Sequence, residues 1–285
     1  MDQTTMIAVT GANGHLGQRL LRRLAPHGPV RALVRSPRAA ERVAALGLGR
    51  AVDVRIVDYT DAAALGAALD GCRAAVHLVG ILKEGRRSHY REAHEDTCEA
   101  LAEAAAGAGL EQLVYLSIVG AGPSSDNACL ASKGRAERIL LDGTVPACVI
   151  RVPMVLGEGD YAAAALSGRA RRGVNVLLRG SSLEQPIYAG DVIEAVVAAL
   201  NSTTAAGALD LAGPESLPRS DLVRRAAAVL GRRTRTVSLP VGLGLVLAGV
   251  LEALLPDPPV TRTMLGVLDH DDRVDGALPE PVVAE

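Results

Sequence analysis

The chain has 285 residues, 49% of them hydrophobic and 22% charged, with a formal net charge of −2. Such a balance suits a globular protein that buries an ample core, and it gives no bulk attraction to nucleic acid or to an anionic membrane. Phe and Trp are absent and Tyr occurs five times, so almost no platform exists for stacking on bases, and the core must be built from Ala, Val and Leu.

Read from its start, the chain shows no basic leader. Met1-Asp2-Gln3-Thr4-Thr5 runs directly into the apolar segment 6–9, so no secretory signal is expected. Thr10-Gly11-Ala12-Asn13-Gly14-His15-Leu16-Gly17 comes next, and Leu16, Leu20, Leu21 and Leu24 then recur at helical spacing. A strand feeding a glycine turn that opens into a helix points several backbone N–H groups, and the helix's positive end, at one spot. A phosphate belongs there. Gly11 permits the turn, Gly14 admits a pyrophosphate to the backbone, and Gly17 lets the helix lie close against the strand.

Segments 30–34, 52–57, 74–79, 112–117 and 147–152 read as further strands, and 38–46, 62–69, 92–106, 128–141 and 191–200 as helices, with Asp191 capping the last. This alternation predicts an α/β fold, a doubly wound parallel sheet of the Rossmann kind whose ligands gather at the carboxyl ends of the strands. From Gly157 the rhythm weakens, and Pro214, Pro218, Pro240, Pro256, Pro258 and Pro259 punctuate shorter elements. The expected division is a dinucleotide-binding domain over 1–156 plus 183–201, and a small C-terminal α+β lobe for substrate or partner over 157–182 plus 202–285. The tail after Asp275 is expected to be mobile.

The second strand ends Val34-Arg35-Ser36, with no acid in place. A ribose 2′-hydroxyl is usually met there by Asp or Glu and a 2′-phosphate by Arg, so NADP(H) is expected over NAD(H). Asp58 and Tyr59 close the third strand within reach of an adenine, and Val79-Gly80 brings bare backbone to the cofactor at the end of the fourth. The expected cofactor-binding set is Gly11, Asn13, Gly14, His15, Leu16, Gly17, Arg35, Ser36, Asp58, Tyr59, Val79, Gly80, Lys133 and Pro153. Cys72, Cys98, Cys129 and Cys148 are irregularly spaced, which fits neither a zinc site nor a disulfide framework, so no metal and a reducing cytoplasm are expected. His77 reads as a core histidine, His94 opens an Ala-rich helix, and Tyr90 and Tyr161 are the remaining aromatics near the cleft. The apolar run 239–251 is too short for a bilayer span, which needs about 20 residues, and reads as a helix that is buried or docks on a partner or a membrane surface.

These motifs resemble a family. Thr-Gly-x-x-Gly-x-x-Gly at 10–17, Asp58, Leu78-Val79-Gly80-Ile81-Leu82, Tyr115-Leu116-Ser117, Ser132-Lys133, Ile150-Arg151, Gly157-x-Gly159-Asp160, Pro186-Ile187-Tyr188-x-x-Asp191 and Leu211-Ala212-Gly213-Pro214-Glu215 look like an atypical, extended-type short-chain dehydrogenase/reductase. Pro258-Pro259-Val260-Thr261-Arg262 is similar to the branch containing the nucleotide-binding accessory subunit of respiratory complex I and its bacterial relatives. The resemblance covers nearly the whole chain.

It implies a catalytic Tyr four residues before a Lys, on one helix face, helped by a Ser at the end of the fifth strand. The Tyr would give a proton to the alkoxide left by hydride transfer, while the Lys lowers its pKa and holds the nicotinamide ribose. Here the Lys is Lys133, the Ser is Ser117, and the Tyr position is Cys129. A thiol is acidic enough, with an ordinary pKa near 8.5, but it is several ångströms too short. Activation of Cys129 by Lys133 as a nucleophile is the other use of the pair. Three functions follow as expectations. The leading one is an NADP(H)-binding accessory or sensing protein, or a weak reductase on a small molecule. The others are an active oxidoreductase or sugar-nucleotide-type epimerase with a non-standard proton donor, and a protein docking on a membrane or respiratory complex through 239–251.

Overall fold

The computed structural model describes residues 6–86, 88–202, 206–255, 258, 261–268 and 274. In chain order the elements are β1 Met6–Thr10, α1 His15–Leu24, β2 Val30–Val34, α2 Pro37–Ala44, β3 Val52–Ile56, α3 Ala62–Leu69, β4 Cys72–His77, α4 Thr97–Gly107, β5 Gln112–Ile118, α5 Ala128–Leu141 and β6 Ala147–Val152. Then come β7 Val155–Leu156, α6 Tyr161–Ala170, β8 Val174–Leu178, β9 Leu183–Glu184, β10 Ile187–Tyr188, α7 Ala189–Asn201, β11 Gly207–Asp210, β12 Leu217–Pro218, α8 Arg219–Val229, β13 Arg235–Leu239, α9 Val241–Leu254 and α10 Arg262–Leu268. Two units form. One is Met1–Arg151 with Gly190–Leu209, and the other is Val152–Ala189 with Asp210–Glu285.

The first unit carries a seven-stranded sheet in the order β11-β6-β5-β4-β1-β2-β3. The pairings β3–β2, β2–β1, β1–β4 and β4–β5 are parallel. Both sheet faces are covered, which is why β4 and β5 are buried along nearly their whole length rather than at alternate residues. Ala8, Leu33, Leu65, Leu69, Leu101, Leu113 and Val149 are buried in one core with Tyr115. Each fully buried Leu or Val contributes about 1.5–3 kcal/mol, so Ala, Val and Leu suffice without larger rings. The chain runs from β1 outward to β3 and then crosses back to β4 on the other side of β1. Strand order therefore reverses between Thr10 and its cross-strand partner His77, and ligands of such sheets bind at this crevice.

Several elements begin where local chemistry dictates. Ser36 Oγ accepts from Ala39 N at 3.3 Å and Pro37 opens α2, while Asp61 Oδ1 accepts from Ala64 N at 2.9 Å and starts α3. Asn127 caps α5 through the amides of Cys129 and Leu130.

Other expectations are corrected. The helix expected over 92–106 is entered by wide π turns at Arg91–Asp96 before α4 begins at Thr97. Such turns arise from side-chain packing that local periodicity does not report, and they favour functional sites. Asp191 sits inside the first turn of α7 and does not cap it. The apolar run 239–251 is divided, since Leu239 ends β13 and the helix starts after Pro240. The tail after Asp275, together with Pro256, Pro259 and Val260, lies outside the described residues.

In the second unit β8 and β13 pair in parallel, β7 pairs with β10 in parallel, and β9 pairs with β12 antiparallel. Pro153 falls in this unit. Among the described residues no helix is long and apolar enough to cross a membrane, and no group of three or more His, Cys, Asp or Glu could hold a metal.

Candidate dinucleotide site

The glycine turn is built tightly enough to explain each glycine. Gly11 has φ +66°, a left-handed conformation that disfavours any side chain, and a Cβ there would lie 3.2 Å from the Leu78 backbone. At Gly17 a Cβ would lie 2.5 Å from Gly11 O and 2.7 Å from Ala12 Cα, so only glycine lets α1 settle onto the turn. Gly14 N donates to Gly11 O at 2.9 Å, and Gln18 Nε2 donates to Asn13 O at 2.8 Å, which holds the turn shut from both sides. Gly14 is the N-cap of α1, and no side chain caps that end. Gly14 and His15 are exposed and Leu16 is half-buried. The exposed start of α1, with no side-chain cap from Gly14, is a cradle that fits a diphosphate.

Tyr59 braces this turn. Its hydroxyl accepts from Gly11 N at 3.0 Å and donates to Leu33 O at 2.6 Å, which ties the turn after β1 to the end of β2. Burial pushes its phenol up to about 12, so it stays protonated. The sequence placed Tyr59 near the adenine, whereas the structure places it inside as a strut. Above its ring, 5.9 Å from the centroid, lies the Arg35 guanidinium. Arg35 and Asp58 are exposed, and Asp58 Oδ1 takes both the amide and the hydroxyl of Thr60, at 3.0 and 2.8 Å. These bonds, helped by Arg35, hold the Asp58 carboxyl below its usual range. Ser36 is engaged as the α2 cap.

On the far side of β4, several side chains gather around Lys133 and Cys129. Lys133, buried on α5, donates from Nζ to Tyr115 Oη at 2.9 Å, Leu116 O at 3.2 Å and Val79 O at 3.4 Å. An ammonium has three N–H bonds, and each has an acceptor. Gly80 makes room for this arrangement, since a Cβ there would lie 2.8 Å from Lys133 Nζ. Burial lowers Lys133 to about 8.

Cys129 is buried one turn before Lys133, and its thiol points at Ile81 O, 3.6 Å away. Burial pushes it up to about 11, outweighing the pull of Lys133, so the thiolate needed for nucleophilic attack does not form near neutrality. The Tyr90 phenol lies close to this thiol. The Tyr90 hydroxyl also donates to Leu82 O at 3.0 Å, and the ring stacks on His94 at 5.7 Å between centroids. His94 Nε2 meets the Ile81 backbone at 3.1 Å, while His94 Nδ1 and Ser117 Oγ are buried without a partner among the described residues. Glu95 locks the π turns to α5, accepting from Ser132 Oγ at 2.8 Å and from both arms of Arg135 at 2.7 and 2.9 Å.

His77 is a satisfied core histidine, with Thr10 Oγ1 2.8 Å from Nδ1 and Thr97 Oγ1 3.4 Å from Nε2. Sequence reasoning gave no signal for the Tyr59 strut or for the contact of Tyr90 with Cys129, because each joins residues far apart in the chain.

A glycine turn feeding an uncapped helix at the strand-order reversal defines a dinucleotide-binding protein of the doubly wound class. The chain belongs to the NAD(P)H-binding family, whose model matches residues 11–203. It is 33% identical over 262 residues to the (4-alkanoyl-5-oxo-2,5-dihydrofuran-3-yl)methyl phosphate reductase of Streptomyces griseus, covering 91% of this chain and 85% of that protein. The mitochondrial NADH dehydrogenase (ubiquinone) 1 alpha subcomplex subunit 9 of Arabidopsis thaliana is 27% identical over 250 residues, covering 84% of this chain but only 61% of the subunit. These likenesses make the chain an atypical short-chain dehydrogenase/reductase related to complex I subunits. Its fold matches the NADPH-dependent quinone oxidoreductase of Escherichia coli, complexed with NADPH, with a TM-score of 0.71 at 22% identity over 93% of this chain and 87% of that one.

Proposed function

We propose that the chain binds NADP(H) on the cradle at the N-terminus of α1 and serves as an accessory or sensing protein or a slow reductase, not as a fast carbonyl reductase. One observation carries this reading. Lys133 gives its three N–H bonds to protein acceptors while the residue one turn before it is a buried thiol, so the proton-donating pair is dismantled and the cradle is intact. The dinucleotide supplies hydride when bound. Amides of the glycine turn hold its diphosphate, and Arg35, free of any carboxylate ion pair among the described residues, offers a fork to a 2′-phosphate. NADPH in the Escherichia coli neighbour supports the NADP(H) preference.

A second reading is an active reductase. It is favoured by Tyr90, whose phenol lies beside Cys129 and returns a long proton donor to the place where α5 has a short one. Hydride delivered to a carbonyl carbon leaves an alkoxide, and Tyr90 would give it a proton. The reductase named among the relatives supports this reading.

Single-turnover oxidation of bound NADPH by a panel of carbonyls and quinones separates the two. The first reading expects turnover near background, unchanged in Tyr90→Phe. Fast turnover abolished by Tyr90→Phe, with NADPH binding retained, would establish the second and overturn the first.

The proposed location is the cytoplasm with a peripheral attachment through 239–251, for which likeness to a subunit of a respiratory assembly gives support.

A further inference from the structure

Helix α9 is inside out. Gly244 and Ala248 are its buried positions, and a Cβ added to Gly244 would collide with Leu178 at the end of β8. Leu243, Val246, Leu247, Val250 and Leu254 recur at helical spacing on the other side, each between 48% and 73% exposed. A helix that only closes a core turns its large aliphatics inward; here the small residues face the protein and the large ones face solvent. The one charged residue of α9, Glu252, is off this stripe and is taken by Arg262 at 2.8 Å.

The sheet beneath continues the surface. In the parallel pair of β8 and β13, Val174 lies opposite Arg235, Val176 opposite Val237 and Leu178 opposite Leu239. Residues opposed in this way share one face. Val174, Val176 and Val237 are exposed on it, and α9 covers only the Leu178 end. Parallel sheets are nearly always covered on both faces, so an open valine face is a surface awaiting cover.

Charge says what the cover is. At the opposite end of the pair, the loops leading into β8 and β13 carry Arg171, Arg172, Arg232 and Arg233 next to Arg235, all exposed, and Arg232 Nη1 donates to Arg171 O at 3.2 Å, which binds the two loops together. None of the five forms an ion pair with a carboxylate among the described residues. The net charge of −2 thus hides a local arginine cluster bordering an apolar plane.

We propose that this face docks on an anionic phospholipid bilayer, the leucine and valine stripe of α9 entering the headgroup–acyl boundary while the arginines meet lipid phosphates. A helix with apolar residues on one face and no length to span lies in the interface plane. Exposed arginines at that depth add attraction that salt screens. This gives a chemistry to the peripheral attachment proposed for 239–251 and rests on it, not on the dinucleotide reading.

The test is cosedimentation of the intact protein with vesicles of phosphatidylcholine alone, with vesicles containing about one-third phosphatidylglycerol, and with stripped native membranes. Binding is expected to the anionic vesicles and to weaken with added salt. Leu247→Glu should reduce it by at least about tenfold, and Arg232→Gln with Arg233→Gln by roughly fivefold per arginine on anionic vesicles only. All three positions are exposed, so NADPH affinity and the circular-dichroism spectrum should be unchanged; if Leu247→Glu misfolds, Leu247→Ser carries the same expectation. Equal binding to both vesicle types would overturn the proposal. So would retention on native membranes without binding to protein-free vesicles, which would leave attachment standing with a protein as its partner. Absence from all membranes would remove attachment and proposal together. A dimer split by Leu247→Glu, with no vesicle binding, would assign the face to a second copy instead.

Discussion

Lys133 Nζ donates to Tyr115 Oη at 2.9 Å and lies 4.5 Å from the centre of the same ring, so one tyrosine holds the buried ammonium through both its oxygen and its π face. The pair joins α5 to β5 in a place without a carboxylate contact to Lys133. Neighbouring dipoles, the ring face and a more distant pull from Glu137 favour the charge, burial outweighs them, and that leaves a mark on stability.

A base whose folded pKa is lowered costs stability at low pH, and the cost fades as pH rises from the folded value towards the unfolded one. For Lys133 the window runs from about 8 to the ordinary 10.5. Across it the cost changes by about 3 kcal/mol, at 1.4 kcal/mol per unit. Lys133→Met should therefore gain most over the parent near pH 7, and the gap should close by that amount by pH 10.5. Urea unfolding of both proteins at several pH values reads the difference directly. A gap independent of pH would mean that Lys133 is solvated.

Acid acts through two histidines. Burial lowers His77 and His94 to about 3 from an ordinary 6.5. Both are neutral in the fold, and their contribution is complete above 6.5 and lost as pH falls towards 3. Two protons taken up together steepen the loss to at most about 2.7 kcal/mol per unit. His94→Phe keeps the stack on Tyr90 and should make the slope shallower by one proton, measured as the urea midpoint between pH 6.5 and 4.5. An unchanged slope would show that His94 is not buried neutral.

Position 17 should be less tolerant than position 14. A Cβ at Gly17 meets Gly11 O at 2.5 Å, whereas one at Gly14 meets it at 3.2 Å. Gly17→Ala should destabilise by about 1–3 kcal/mol, as overpacking does, and Gly14→Ala by much less. Thermal unfolding ranks them, and the reverse order would contradict the close approach of α1.

The preference proposed for NADP(H) rests on Arg35. Losing a charge-assisted bond to a phosphate is worth about 1.5–3 kcal/mol. Arg35→Asp should weaken NADPH by about ten- to a hundredfold and favour NADH through its 2′-hydroxyl. Fluorescence titration of both nucleotides with both proteins checks this, and parallel changes in both affinities would remove the role assigned to Arg35.

The first unit was legible wherever the signal is local. Apolar runs gave β1 to β6 and the three glycines announced the turn, whereas Ser36, read as a cofactor contact, caps α2. What stayed hidden depends on residues meeting across the fold. Gly11 and Tyr59 are 48 positions apart, and so are Cys129 and Ile81. No periodicity links them. The π turns at Arg91–Asp96 include Glu95, which reaches Ser132 and Arg135, partners that sequence spacing does not reveal. The strands β7, β9, β10 and β12 have two residues each, too few to show alternation. In α9 the composition was read and its direction was not, because hydropathy alone does not say which face turns outward.

Calorimetric titration of NADPH into the parent protein and into Gly17→Ala tests most directly whether the turn between β1 and α1 holds the dinucleotide. A single saturable site in the parent, tighter for NADPH than for NADH and lost in a folded Gly17→Ala, is the expected result. No binding by the parent, or undiminished binding by the variant, would contradict it.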